Sequence, residues 1–80
     1  MLKIGVIGAG QIGSAIARVL AESGEYQVTA SRRNIEEIRD LEKLGVKLTR
    51  DNRLVAESSD AVFIAVKPNK VEKILSLIHI

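Results

Sequence analysis

Three glycines, Gly8, Gly10 and Gly13, stand in the pattern G-x-G-x-x-G within the stretch GVIGAGQIGSAIA, residues 5–17. That spacing suits a strand-to-helix turn that receives a pyrophosphate. The first glycine permits the tight turn, the second lets the ligand approach the backbone, and the third packs the helix against the strand. The chemistry is binding by backbone N–H groups and the positive end of a helix, not covalent catalysis. Alone the pattern is weak, because it fixes only three positions of a common residue. It counts where a strand enters it, a helix leaves it and a second strand follows.

Two further stretches carry chemistry. Ser31, Arg32 and Arg33 follow the second apolar run, where a binder of NAD has an acidic residue for the ribose hydroxyls. A carboxylate would repel a 2′-phosphate, whereas a hydroxyl and guanidinium forks would hold it, so the residues favour NADP(H). The alternative is a solvated basic loop before a helix. The second stretch is AVKP, Ala65, Val66, Lys67 and Pro68, at the end of the fourth apolar run. In an open α/β sheet that end faces the ligand crevice, so Lys67 either meets a phosphate or ribose there or lies in solvent. Asn52 is a cap or turn residue unless its loop faces the adenosine. His79 stands next to the last residue without partners and is given no role.

The elements needed to position these residues can be read from the pattern. Leu2 to Ile7 reads as a strand, and Gln11 to Ser23 as a helix with Ile12, Ala15, Ile16, Val19 and Leu20 on its buried face. Gly24 stops that helix. Tyr26 to Ala30 is a second strand. Asn34 is placed to cap a second helix that carries Ile35, Ile38, Leu41 and Leu44 inward, and Gly45 ends it. Val46 to Thr49 is a short strand. Asp51 caps a brief helix to about Ser58, and the continuous apolar run Ala61 to Val66 suits a strand covered on both faces. Pro68 breaks that run, and Val71, Ile74, Leu75 and Ile78 mark a last helix. The order βαβαβαβα predicts a Rossmann-type α/β fold: one parallel sheet of strand order 3-2-1-4 in a three-layer αβα arrangement.

Composition excludes other classes. With 80 residues, 46% of them hydrophobic and 28% charged, the chain reads as one ordinary globular domain. No apolar run approaches the roughly 18 residues of a membrane span, and the N-terminus lacks the layout of a signal peptide, so a cytoplasmic location is expected. There is no cysteine and a single histidine, which leaves no metal-ligating set. The net charge of +2 comes with only Tyr26 and Phe63 as aromatics, so nucleic acid is not the expected partner.

Taken together, IGAGQIGSAIA (residues 7–17), SRRN (31–34), GVKLTRDN (45–52) and DAVFIAVKP (60–68) resemble the N-terminal part of pyrroline-5-carboxylate reductase, across essentially the whole chain. The first motif is shared by many dehydrogenases, whereas AVKP after GVKLT-x-DN is far more specific. The resemblance implies that the backbone of Ile7, Gly8, Ala9, Gly10, Gln11 and Ile12, with Arg32, Asn52 and Ala65 to Pro68, contacts NADP(H). It also implies a complete dinucleotide domain followed by a helical domain that dimerises and completes the active site. Those parts are not among the 80 residues, so the segment is expected to be an incomplete cofactor domain, inactive alone, and to self-associate through the exposed edge of its fourth strand. The alternatives are a segment of another NADP-dependent oxidoreductase, of the deazaflavin-dependent or hydroxyacid dehydrogenase type, and a non-catalytic nucleotide-binding or assembly module.

Overall fold

The computed structural model describes residues 1–8 and 10–65; the expected last helix and the positions Ala9, Val66, Lys67 and Pro68 lie outside them. The strands are β1 (Leu2–Ile7), β2 (Tyr26–Ser31), β3 (Lys47–Thr49) and β4 (Ala61–Ile64). They form one parallel sheet of order β3-β2-β1-β4, as the alternation of elements predicts. β1 and β2 pair from Leu2 with Tyr26 to Ile7 with Ser31. Ile7 also pairs with Ile64, and Ser31 with Thr49. The C-terminal ends of all four strands therefore lie at one edge of the sheet.

Alternation along each strand divides the core in two. Val6, Val28 and Ala30 point to one face, where Ala17 of helix α1 (Gln11–Ser23) and Ile38, Leu41 and Val46 complete a buried cluster. Ile7 points to the other face and packs with Val55 of helix α2 (Asn52–Ser58). Helices thus cover both faces, giving the three layers expected.

Helix α1 has the predicted limits but a different buried side. Ile12 is 75% exposed and Val19 67%, and Ala15 also faces outward. The residues that meet the sheet are Gly13 and Ala17, with Ile16, Leu20 and Ala21 partly buried. Small residues let the helix axis come close to the strands, and the large apolar residues fall to the sides.

The second helix is also corrected. Ile35–Leu44 is 3-10 helical in two pieces joined by a kink at Ile38, whose backbone leaves helical values (φ −121°, ψ 15°). Its apolar residues recur every third position, which keeps them on one side of a 3-10 helix but carries them around an α-helix. Ile38 and Leu41 are buried, while Ile35 and Leu44 are only half-buried. Asn34 occupies the N-cap position without capping through its side chain. Its Nδ2 instead donates to Glu37 Oε1 at 3.3 Å. Asp51 does cap α2, its Oδ1 accepting from the N–H groups of Arg53 (3.0 Å) and Leu54 (3.3 Å). Three strands differ slightly from expectation: β2 runs on to Ser31, β3 starts at Lys47, and β4 ends at Ile64.

Candidate functional site

The glycine turn sits where β1 hands over to α1. Ile7 is fully buried, and the chain reverses at Gly8 with φ of +74°, a backbone conformation that a side chain would strain. The Gly10 N–H donates to the Gly8 carbonyl at 2.6 Å, and the Ser14 N–H starts the helical ladder on the Gly10 carbonyl at 2.8 Å. Gly10 is the N-cap of α1 and has no side chain to satisfy the first-turn N–H groups. No acidic residue stands in that first turn to oppose an anion.

Gly13 and Gly10 have different roles. A Cβ on Gly13 would lie 3.0 Å from Ala65 Cβ, 3.2 Å from the Gly8 carbonyl oxygen and 3.3 Å from Val6 Cγ1. Gly13 is therefore required by the packing of α1 onto the strands. Among the described residues a Cβ on Gly10 would meet nothing closer than 3.8 Å, so their packing leaves that position free. That room leaves the Gly10 backbone open to approach from outside, as the second glycine of a dinucleotide turn requires. Ala65 comes to the same turn, its N–H donating to the Ile7 carbonyl at 2.8 Å.

The end of β2 distributes its residues in a way the sequence does not show. Ser31 is fully buried, with its side chain on the α2 face beneath Asn52. Its Oγ accepts from the Gly8 N–H at 3.3 Å and donates to Asn52 Oδ1 at 2.6 Å. The Ser31 hydroxyl thus joins the turn, β2 and α2. Strand alternation is the cause, since Ser31 shares the face of its partner Ile7. Asn52 is half-buried at the start of α2, with its carbonyl oxygen facing Ser31.

Arg32 is the guanidinium at the turn. Its Nη1 is the nearest atom, at 3.8 Å, to where a Cβ on Gly10 would be, and its Nη2 pairs with Glu37 Oε2. Its own N–H donates to the Thr49 carbonyl at 3.2 Å, which fixes the residue between β2 and β3. Arg33 is exposed, and its carbonyl accepts from Arg50 Nε at 3.3 Å. Of the two arginines, the structure brings Arg32 to the glycines. Gln11 and Ile12 are exposed at the first turn of α1. Ala9, Val66, Lys67 and Pro68 lie outside the described residues.

Glu37 and Arg50 belong to this edge and were not singled out from the sequence. The signal for Glu37 was present, since an acidic residue three positions after Asn34 is the spacing of a capping box. The neighbouring Glu36 is held below the usual carboxylate range by a hydrogen bond from Arg39, by the charge of Arg39 and, more weakly, by Arg50. Arg39 is raised in turn by the same bond. A broad open groove lined by Met1, Tyr26, Gln27 and Lys47 contains none of the turn glycines, and no role attaches to it. Among the described residues there is no group of metal-ligating side chains, and no helix is long and apolar enough to cross a membrane.

A parallel 3-2-1-4 sheet with a glycine turn between β1 and α1, open at Gly10 and flanked by a guanidinium, defines a Rossmann-type dinucleotide-binding module. The chain belongs to the family described as NADP oxidoreductase, coenzyme F420-dependent, which it matches over residues 3–80. It is 38% identical over 79 residues to pyrroline-5-carboxylate reductase 2 of Homo sapiens, covering 92% of this chain and 25% of that protein. It is 36% identical over 78 residues to pyrroline-5-carboxylate reductase of Methanosarcina acetivorans, covering 92% and 29%. Among solved structures it is similar to an imine reductase from Pseudomonas sp., with a TM-score of 0.85 and 29% identity over 94% of this chain and 26% of that one. A variant imine reductase from Myxococcus stipitatus in complex with NAD+ superposes with a TM-score of 0.81 and 30% identity, over 91% and 25%. The chain spans about a quarter of the length of the curated relatives it matches. The resemblance to pyrroline-5-carboxylate reductase carried by the sequence motifs is thus met by relatives of that name.

Proposed function

We propose that this chain is the NADP(H)-binding segment of an enzyme that reduces 1-pyrroline-5-carboxylate to L-proline. The observation that carries the cofactor choice is Arg32 beside Gly10, at the strand end where an acidic residue would serve NAD. The first-turn N–H groups of α1 would receive the pyrophosphate, and Arg32 the 2′-phosphate. When bound, the cofactor supplies the hydride. Ser31 takes part through position, since it ties the Gly8 N–H to Asn52 and so holds the turn against α2.

Support for the substrate comes from the named relatives: pyrroline-5-carboxylate is a cyclic imine, and two of the similar solved structures are imine reductases. The family description favours a second reading, transfer between NADP(H) and coenzyme F420. Assays of full-length protein containing this segment separate the two, with 1-pyrroline-5-carboxylate in one arm and reduced F420 in the other.

Cofactor choice is tested on the chain itself by titration with NADPH and NADH. One charge-assisted bond, discounted for the partial exposure of Arg32, corresponds to roughly a ten-fold preference for NADPH. Arg32→Ala is expected to remove that preference while leaving NADH binding nearly unchanged, and added salt should shrink it. Equal losses for both cofactors would show that Arg32 only shapes the loop. Equal affinities in the parent chain would overturn the NADP assignment.

A further inference from the structure

We infer that Glu37 sets how strongly this site distinguishes NADP(H) from NAD(H), by holding Arg32 in an ion pair that a 2′-phosphate must share or break. The inference rests on the NADP(H) reading given above. Arg32 stands between two neighbours, with Nη2 on Glu37 Oε2 and Nη1 beside Gly10. Glu37 is itself anchored. Its N–H donates to the Asn34 carbonyl at 3.2 Å, and its Oε1 accepts from Asn34 Nδ2 at 3.3 Å. The other acidic residue of the same turn is committed elsewhere, since Glu36 pairs with Arg39 at 2.6 Å. Of the two acidic residues of that turn, Glu37 is the one that brings negative charge to the Arg32 guanidinium.

The two cofactors meet this pair differently. A ribose with a free 2′-hydroxyl can donate to a carboxylate and accept from a guanidinium, so the pair suits NAD(H) without losing its own attraction. A 2′-phosphate brings further negative charge, which Arg32 attracts and Glu37 repels. Arg32 favours NADP(H) and Glu37 moderates that preference. An arginine alone at the end of β2 would discriminate more sharply than this site does.

Glu37→Gln tests the inference, because it deletes the charge and keeps an oxygen for Asn34 Nδ2. NADPH is expected to bind about two- to five-fold tighter, the range of an exposed ion pair, while NADH binds equally or slightly more weakly. The truncated probes 2′,5′-ADP and 5′-AMP are expected to show the same divergence, which places the effect at the 2′ position. In an Arg32→Ala background the substitution should raise the NADPH-to-NADH ratio by less than in the parent chain, because only direct repulsion of the 2′-phosphate then remains, a coupling that a purely structural role would not produce. If Arg32→Ala lowers the ratio and Glu37→Gln leaves it unchanged, the inference is wrong and the NADP(H) reading stands. If Glu37→Gln weakens both cofactors alike, Glu37 merely supports the loop and the inference again falls. If Arg32→Ala does not alter the ratio, both fall together.

Discussion

Single positions at this site are decided by which face of the sheet they meet. Ala30 enters the core beneath α1, Ser31 turns to the opposite face, and Arg32, one residue beyond the strand, reaches Gly10. Gly5 shows the same principle in a residue outside the glycine motif. It lies on the face covered by α2, where a Cβ would stand 2.5 Å from both Val55 Cγ1 and Ser59 Oγ. Val55 is fully buried and β-branched, so it has little freedom to withdraw. Gly5→Ala is expected to cost about 1–3 kcal/mol through overpacking, partly offset by roughly 0.5–1 kcal/mol because alanine loses less chain entropy than glycine. Denaturant unfolding measures the net, and a variant as stable as its parent would show that α2 moves aside freely. The contrast with Gly10 is useful. Gly5 is needed by the protein's own packing, whereas a Cβ at Gly10 has room among the described residues.

At the scale of elements, the shortest helix among the described residues is capped by a single side chain. Helix α2 has seven residues, too few to be stable without capping and packing, and Asp51 Oδ1 satisfies two of its first N–H groups. Asp51→Ala is expected to destabilise the fold by about 1 kcal/mol, and Asp51→Asn to restore most of it. Identical unfolding midpoints for Asp51→Ala and the parent chain would refute the cap. The cap is also one of the features readable directly from the sequence, as were the strand order, the limits of α1 and the glycine turn. These follow from local chemistry: turn residues, caps and alternating elements. The side of α1 that meets the sheet was not readable from bulk alone, because Gly13 and Ala17 make the contact and Ile12 and Val19 do not. The three-residue period of Ile35, Ile38, Leu41 and Leu44 did indicate a 3-10 helix, but it is easily taken for an α-helical stripe. At the site, the charge of Arg32 could be read, but its partner could not. The Arg32–Glu37 pair depends on how the second helix leaves β2, and the Ser31–Asn52 bond joins residues that only the tertiary fold brings together.

For the whole molecule, the two edges of the sheet differ in how they resist association. The β3 edge is three residues long and carries the exposed Lys47, features that discourage pairing with another chain. The β4 edge reads Ala-Val-Phe-Ile without a charge, and Phe63 is 45% exposed. β4 pairs with β1 on one side, and among the described residues no strand pairs with its other side. The exposed Ile12 and Val19 add apolar surface on α1. We therefore expect the 80-residue chain to form dimers or larger assemblies at roughly micromolar concentration, with β4 as the contact. Phe63→Lys places a charge on that strand at a position already half in solvent, so it should weaken association while leaving the buried clusters intact. Sedimentation velocity across a concentration series distinguishes the outcomes. A shift from assembly to monomer in Phe63→Lys would assign the contact to β4, and association unchanged by the substitution would move it elsewhere. A parent chain that stays monomeric up to about millimolar concentration would show that an uncharged four-residue edge is too short to recruit a second copy.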